Sequence, residues 1–180
     1  MPTILDRLPY SDRSTTVGLP GRSVDVKPSQ IIVWVSITEI GHGELGAKAL
    51  RLPVILDTGL SHNFAIKEEH LAAWAGFERR YLRKLRDITI GGRVVPLHEA
   101  EVWVHSNRVG ERDRFADRPP FPLQIESGIA VYPADSLGAP RLPLLGLRAL
   151  QWSKLRLTID CERRHMSLRT SQRIWFFGRS

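Results

Sequence analysis

Leu52-Pro53-Val54-Ile55-Leu56-Asp57-Thr58-Gly59-Leu60-Ser61 is an apolar, partly β-branched run that stops abruptly at an acid, a hydroxyl and a glycine. A run of this kind predicts a buried strand feeding a tight turn. A carboxylate at the end of a buried strand is costly unless it is paired, hydrogen-bonded or shifted in pKa, so Asp57 needs a physical reason to be there. Catalysis is one such reason. The other is an Asx-type turn in which local backbone amides satisfy the side chain. Gly59 permits close backbone approach beneath the carboxylate, and the Thr58 hydroxyl can donate to a neighbouring backbone group.

Upstream, Gln30 to Glu39 alternates and is rich in β-branched residues, which predicts a strand. Gly41 to Gly46 reads as a turn, and Ala47 to Leu56 returns as the second arm of a hairpin that presents Asp57. Downstream, Phe64-Ala65-Ile66 is a short apolar segment. Lys67 to Ala75 then predicts a helix, with two acids in its first turn, Leu71 and Trp74 facing inward, and Gly76 just past its end. Leu85 to Pro96 has two β-rich arms around Gly91-Gly92, a hairpin signal. Glu99 to His105 and Gly128 to Tyr132 predict further strands. Leu144-Leu145-Gly146 leads into a short helix at Leu147 to Leu150, followed by a strand at Leu155 to Asp160 and a return strand at Met166 to Leu168.

Asp57-Thr58-Gly59 behind an apolar strand, with Leu144-Leu145-Gly146 and a helix downstream, resembles the retropepsin-type aspartic peptidases over about residues 30 to 170. The resemblance implies a mostly β fold, a closed β-barrel of the acid-protease half-fold kind with two short helices. It implies an aspartic endopeptidase in which Asp57 is catalytic, Thr58, Gly59, Leu60 and Ser61 complete the active-site loop, and Leu144, Leu145 and Gly146 support that loop from behind. Gly91 and Gly92 stand where the family carries its flap, although an ordinary surface hairpin reads equally well. No cofactor and no metal are implied. This chemistry uses two carboxylates sharing a proton, and the 180 residues hold one such loop, so the partner implied is a second copy of the chain in a twofold homodimer acting on a peptide or protein substrate. The sequence departs from the family at Leu60, where a small residue is usual, and at Ser61 and His62, where a substrate-binding acid often stands. The alternative is therefore a catalytically inactive member of the fold that binds peptide or nucleic acid.

The remaining sequence frames this domain. Residues 1 to 29 hold Pro2, Pro9, Pro20 and Pro28 without a sustained period, which predicts an irregular N-terminal arm. About 106 to 122 reads as a charged, proline-punctuated insertion loop. Residues 171 to 180 form a tail whose Ile174-Trp175-Phe176-Phe177 cluster would dock on the chain's own core or on a partner subunit.

A hydrophobic content of 42% with 25% charged residues excludes wholesale disorder. No apolar run reaches the roughly 20 residues of a membrane span, and residues 1 to 20 lack the order of a signal peptide, so the expectation is a cytoplasmic protein with no membrane contact. The single cysteine, Cys161, excludes an internal disulfide and a cysteine-rich zinc site. A net charge of +7 invites a nucleic-acid reading. The one dense cluster, Arg79, Arg80, Arg83, Lys84 and Arg86, lacks interleaved aromatics, so a solvated surface is expected and a nucleic-acid partner is not. His98 and His105, read as seven apart on one strand, would face opposite sides and form no metal pair. Ser61 beside His62 is a poor nucleophile–base pair, since adjacent residues in one tight loop rarely achieve that geometry, and no Gly-x-Ser-x-Gly elbow is present.

Overall fold

The computed structural model describes residues 2–19, 21–41, 43–46, 49–136 and 138–171. The C-terminal apolar cluster at 174–177 lies outside the described residues, as do His42 of the expected first hairpin turn and Ala47 and Lys48 at the start of its expected second arm.

The chain is mostly β. In order, its strands are β1 (Thr3–Pro9), β2 (Thr15–Leu19), β3 (Arg22–Val26), β4 (Ile32–Thr38), β5 (Leu52–Asp57), β6 (Phe64–Lys67), β7 (Lys84–Ile90), β8 (Arg93–His98), β9 (Glu101–Val104), β10 (Phe121–Leu123), β11 (Ile129–Tyr132), β12 (Leu144–Gly146), β13 (Leu155–Asp160) and β14 (His165–Thr170). Two short α-helices accompany them, α1 (Glu68–His70) and α2 (Leu147–Trp152). The first continues as a wider, π-helical turn over Leu71–Ala75 and stops at Gly76, whose φ of 78° ends the helix in the left-handed region.

Nine strands form one sheet in the order β10-β9-β4-β5-β12-β6-β11-β8-β7, while β1-β14-β13 and β2-β3 form separate sheets. The strand β4 is buried along its whole length, on both faces, so the alternation expected of a half-buried strand gives way to an apolar run, Ile32 to Val35, followed by the buried Ser36. It pairs antiparallel with β5 from Ile32 opposite Ile55 to Val35 opposite Leu52, as a hairpin presenting Asp57 requires.

The expected closed barrel does not form. The end strands β10 and β7 are not paired with each other, and both carry features that blunt an open edge. The first has three residues with Pro122 at its centre, and the second exposes Lys84, Arg86 and Asp87.

The irregular N-terminal arm is also corrected. Residues 3–9 pair antiparallel with β14, and residues 15–26 form a hairpin closed at Gly21, where φ is 76°. Irregular register between Thr3 and Leu8, with Arg7 at φ 45°, puts Leu5 and Leu8 both inside although they are three residues apart. A bulged strand of this kind has no period of two to read.

The expected insertion loop proves to be a clamp. Asn107 is buried, its Oδ1 accepts from Asp6 N at 2.8 Å, and its Nδ2 donates to the carbonyls of Asp6, Arg108 and Glu111. Arg112 donates to Thr15 Oγ1 and to the Thr16 carbonyl, and Phe115 meets Trp34 edge-on at 5.7 Å. The segment 106–118 thus ties the N-terminal strands to the central sheet.

Candidate active site

The Asp57 loop hangs between two strands that do not pair with each other. Parallel to β5, β12 occupies the gap with Leu144 opposite Ile55, Leu145 opposite Leu56 and Gly146 opposite Asp57, and it pairs antiparallel with β6 on its other side. Leu145 is buried and Leu144 packs against a small apolar cluster, so both brace the loop from within the sheet. Gly146 N donates to the Asn63 carbonyl at 2.9 Å, closing the far end of the loop.

Gly146 has φ −84°, a conformation open to every residue, so its lack of a side chain answers to space alone. A Cβ there would lie 2.0 Å from the His62 carbonyl oxygen and 3.0 Å from that of Leu60. The loop from Leu60 to His62 therefore lies directly on the Gly146 backbone. The residues singled out on either side of this contact, Leu60 and Gly146, belong to one unit although distant in sequence.

Within the loop, Asp57 is half-buried and its Oδ1 accepts from Gly59 N at 2.9 Å. Among the described residues Oδ2 has no hydrogen-bond partner. The carboxylate is thus oriented by its own turn, as the Asx reading required, and retains an oxygen free to act elsewhere. Thr58 and Gly59 are exposed at the apex. A Cβ on Gly59 would touch Asp57 Oδ1 at 3.4 Å, an ordinary contact. Leu60 turns inward and packs against Ala65, Val95, Leu97, Ala130 and Tyr132, so its bulk fills a cluster inside the fold. Ser61 is exposed.

The same cluster receives Ile88 and Ile90, so the hairpin β7–β8 adjoins the Asp57 loop through shared apolar contacts. Its tip at Gly91 and Gly92 has φ 57° and 78°, and both glycines face open space. Two consecutive left-handed residues make the two-residue turn that the Gly-Gly pair predicted.

His62 was not among the expected site residues. Burial pushes its imidazole below the ordinary range, and the positive charges of Arg148 and Arg86 act in the same direction. Both arginines are exposed and have no ion-pair partner among the described residues. Sequence reading missed them because they come from α2 and β7, which only the folded sheet brings beside the loop.

The other histidines have structural roles. His98 ends β8 while His105 follows β9, so they do not share a strand as expected; Glu99 and Ala100 interrupt it. His98 Nδ1 donates to the Leu82 carbonyl at 3.0 Å. Ser36 Oγ donates to the Leu50 carbonyl and therefore accepts from His105 Nε2, which fixes the neutral His105 tautomer with its proton on Nε2. Among the described residues no group of three His, Cys, Asp or Glu side chains could hold a metal ion. Most of the basic cluster at 79–86 is answered by acids: Arg79 by Glu68, Arg80 by Glu78, Arg83 by Glu99 and Lys84 by Asp87. No helix among the described residues is long and apolar enough to cross a membrane.

Comparison of the chain with protein-family models, with curated proteins and with solved structures found no match.

Proposed function

We propose that the chain is a retropepsin-like aspartic endopeptidase that hydrolyses peptide bonds as a twofold homodimer. The observation that carries this reading is the seating of the Asp57 loop on Gly146, with β12 inserted between β5 and β6 beneath the acid. A turn aspartate with a purely local role needs only the Gly59 amide. It does not need a strand from the far end of the sequence threaded under its loop with the side chain deleted at the point of contact.

In the proposed dimer two Asp57 carboxylates approach across the axis, where like charges at close range favour a shared proton. The ionised member takes a proton from a water molecule as that water attacks the scissile carbonyl carbon, while the protonated member gives its proton to the carbonyl oxygen. Collapse of the tetrahedral adduct breaks the C–N bond, and the amine leaves with a proton returned from the pair. Thr58, exposed beside the acid, supplies a hydroxyl for bonding between the two loops. The Gly59 amide holds Oδ1 and leaves Oδ2 for the shared proton. The hairpin β7–β8 closes over substrate from the side on which Ile88 and Ile90 meet the loop's cluster.

The test is cleavage of a peptide library by the parent and by Asp57→Asn, beside the oligomeric state of each in solution. The expected result is cleavage by a dimeric parent, with loss of at least about a thousandfold in the variant, in line with removal of a member of a concerted catalytic unit. A strictly monomeric parent, or equal rates for parent and variant, overturns the proposal.

A further inference from the structure

The charges around the Asp57 loop are distributed unevenly. On the hairpin β7–β8, the acid Asp87 is held by Lys84 at 2.8 Å, and Glu99, just past the hairpin, is held by Arg83. Around the same cavity as Arg83 and Lys84, Glu68 at the start of α1 is held by Arg79. Arg86 and Arg148 have no carboxylate partner among the described residues.

Both arginines sit on elements that adjoin the His62 loop, Arg86 lying opposite Leu97 of the cluster that holds Leu60. In β7, Arg86 alternates onto the same face as Ile88 and Ile90, whose side chains reach the cluster that holds Leu60. Arg148 lies two residues beyond Gly146, against whose backbone the His62 carbonyl rests. The depression of His62 below its ordinary range by both guanidinium charges agrees with this placement. Two guanidinium groups and the His62 imidazole, carried by three elements, therefore lie beside the loop, and among the described residues the loop's own carboxylate, Asp57, is matched to no base.

Guanidinium groups without a local acid are hydrated at some cost to any neutral or basic group brought beside them, and they favour a carboxylate that can accept from both. Resting on the peptidase reading, we propose that the peptide bound across the Asp57 loop carries an acidic side chain beside the cleaved bond, seated between His62, Arg86 and Arg148. The chain's net charge of +7 adds long-range attraction of acidic segments, but it has no positional preference. The local trio supplies the position.

Binding is measured by fluorescence anisotropy on the full chain carrying Asp57→Asn, with short labelled peptides of one apolar extended sequence in which each position in turn is Glu, Gln or Lys. At one position the Glu peptide is expected to bind about tenfold more tightly than its Lys counterpart, as one or two part-exposed charge pairs of about 0.5–1 kcal/mol each would give. In Arg86→Glu/Arg148→Glu, both changes at exposed sites, the order at that position should reverse. The preference should also shrink as ionic strength rises. Equal affinity for Glu and Lys peptides at every position, or an unchanged order in the double variant, overturns the inference. Cleavage of the same peptides by the parent separates the two claims. Cleavage without acidic preference sinks the substrate assignment alone, and acidic preference in binding without cleavage sinks the hydrolytic reading alone.

Discussion

Gly146→Ala isolates the contact on which the candidate site depends. The substitution adds one methyl group at a backbone conformation, φ −84° and ψ 158°, that alanine adopts freely, so any loss comes from space rather than torsion. The new Cβ would meet the His62 carbonyl oxygen at 2.0 Å and its carbonyl carbon at 3.2 Å, with the Leu60 oxygen at 3.0 Å. Ordinary contact between these atoms is about 3.4 Å, so roughly 1.4 Å of movement is needed, and every atom in the way is backbone. Neither side yields cheaply. The 144–146 strand is paired on both edges, and the loop is tied to it by the 2.9 Å bond from Gly146 N to the Asn63 carbonyl. Overpacking of a close-packed site costs about 1–3 kcal/mol, and an unyielding backbone puts this case at the upper end. For a chain of this length about 3 kcal/mol corresponds to a fall in Tm of roughly 6–12 °C. Urea unfolding of parent and Gly146→Ala measures it, with Gly18→Ala as control, since a Cβ on Gly18 meets nothing within 4 Å. A Gly146→Ala protein within about 0.5 kcal/mol of the parent would show that the loop does not rest on this strand.

Asn107→Ala removes the side-chain hydrogen bonds of Asn107 and leaves the Asp6 amide without its partner, while the Asp6 carbonyl keeps the Gly110 amide, so a loss of about 1–3 kcal/mol is expected by urea unfolding. Early hydrogen exchange in 3–9 should accompany it. Burial depresses His70 and His105 from 6.5 to about 4, with Arg51 adding to the effect at His105. Because the unfolded chain binds these protons more readily, stability is fully present above about pH 6.5 and falls as pH drops toward 4, by about 3 kcal/mol for each histidine. Unfolding midpoints measured across that range should fall steeply, and a flat profile would refute the assignment.

How far the sequence revealed this arrangement depends on which interactions shape each element. The β4–β5 and β7–β8 hairpins and the β13–β14 pair were legible because each is an antiparallel pair of consecutive strands with β-branched or alternating sequence, joined by a short connection in the last two and by a glycine-rich one, 39–51, in the first. Asp57-Thr58-Gly59 and Leu144-Leu145-Gly146 were legible as patterns, but their register, Gly146 against Asp57, is a long-range parallel pairing without a local signal. The N-terminal strands escaped because β1 is bulged at Arg7 and because Thr15, Thr16, Ser23 and Asp25 give β2–β3 a loop-like composition. Asn107 was hidden for a related reason: a polar residue in a charged stretch reads as solvated until its four partners are brought together. Arg86 and Arg148 became interesting only when two elements distant in sequence placed them beside His62.

The two buried histidines bear on the proposed chemistry as well as on the fold. A carboxyl pair that shares a proton works only where one proton is retained, which favours acidic conditions. His70 and His105 oppose that: at about pH 4 their combined effect, about 6 kcal/mol, is comparable to the whole stability of an ordinary domain. Both lie outside the Asp57 loop, His70 stacked on Trp74 at 3.8 Å and His105 bonded to Ser36 at 2.8 Å, so relieving them leaves the acid's own surroundings intact. In the peptidase reading the acid side of the activity profile is therefore set by unfolding, and the fall in activity should follow the fall in folded fraction. His105→Gln retains a donor for Ser36 Oγ while removing the titration, and it should move both curves to lower pH together. If the stability curve moves and the activity curve stays, the acid limit belongs to the carboxyl pair and the histidines have no part in it.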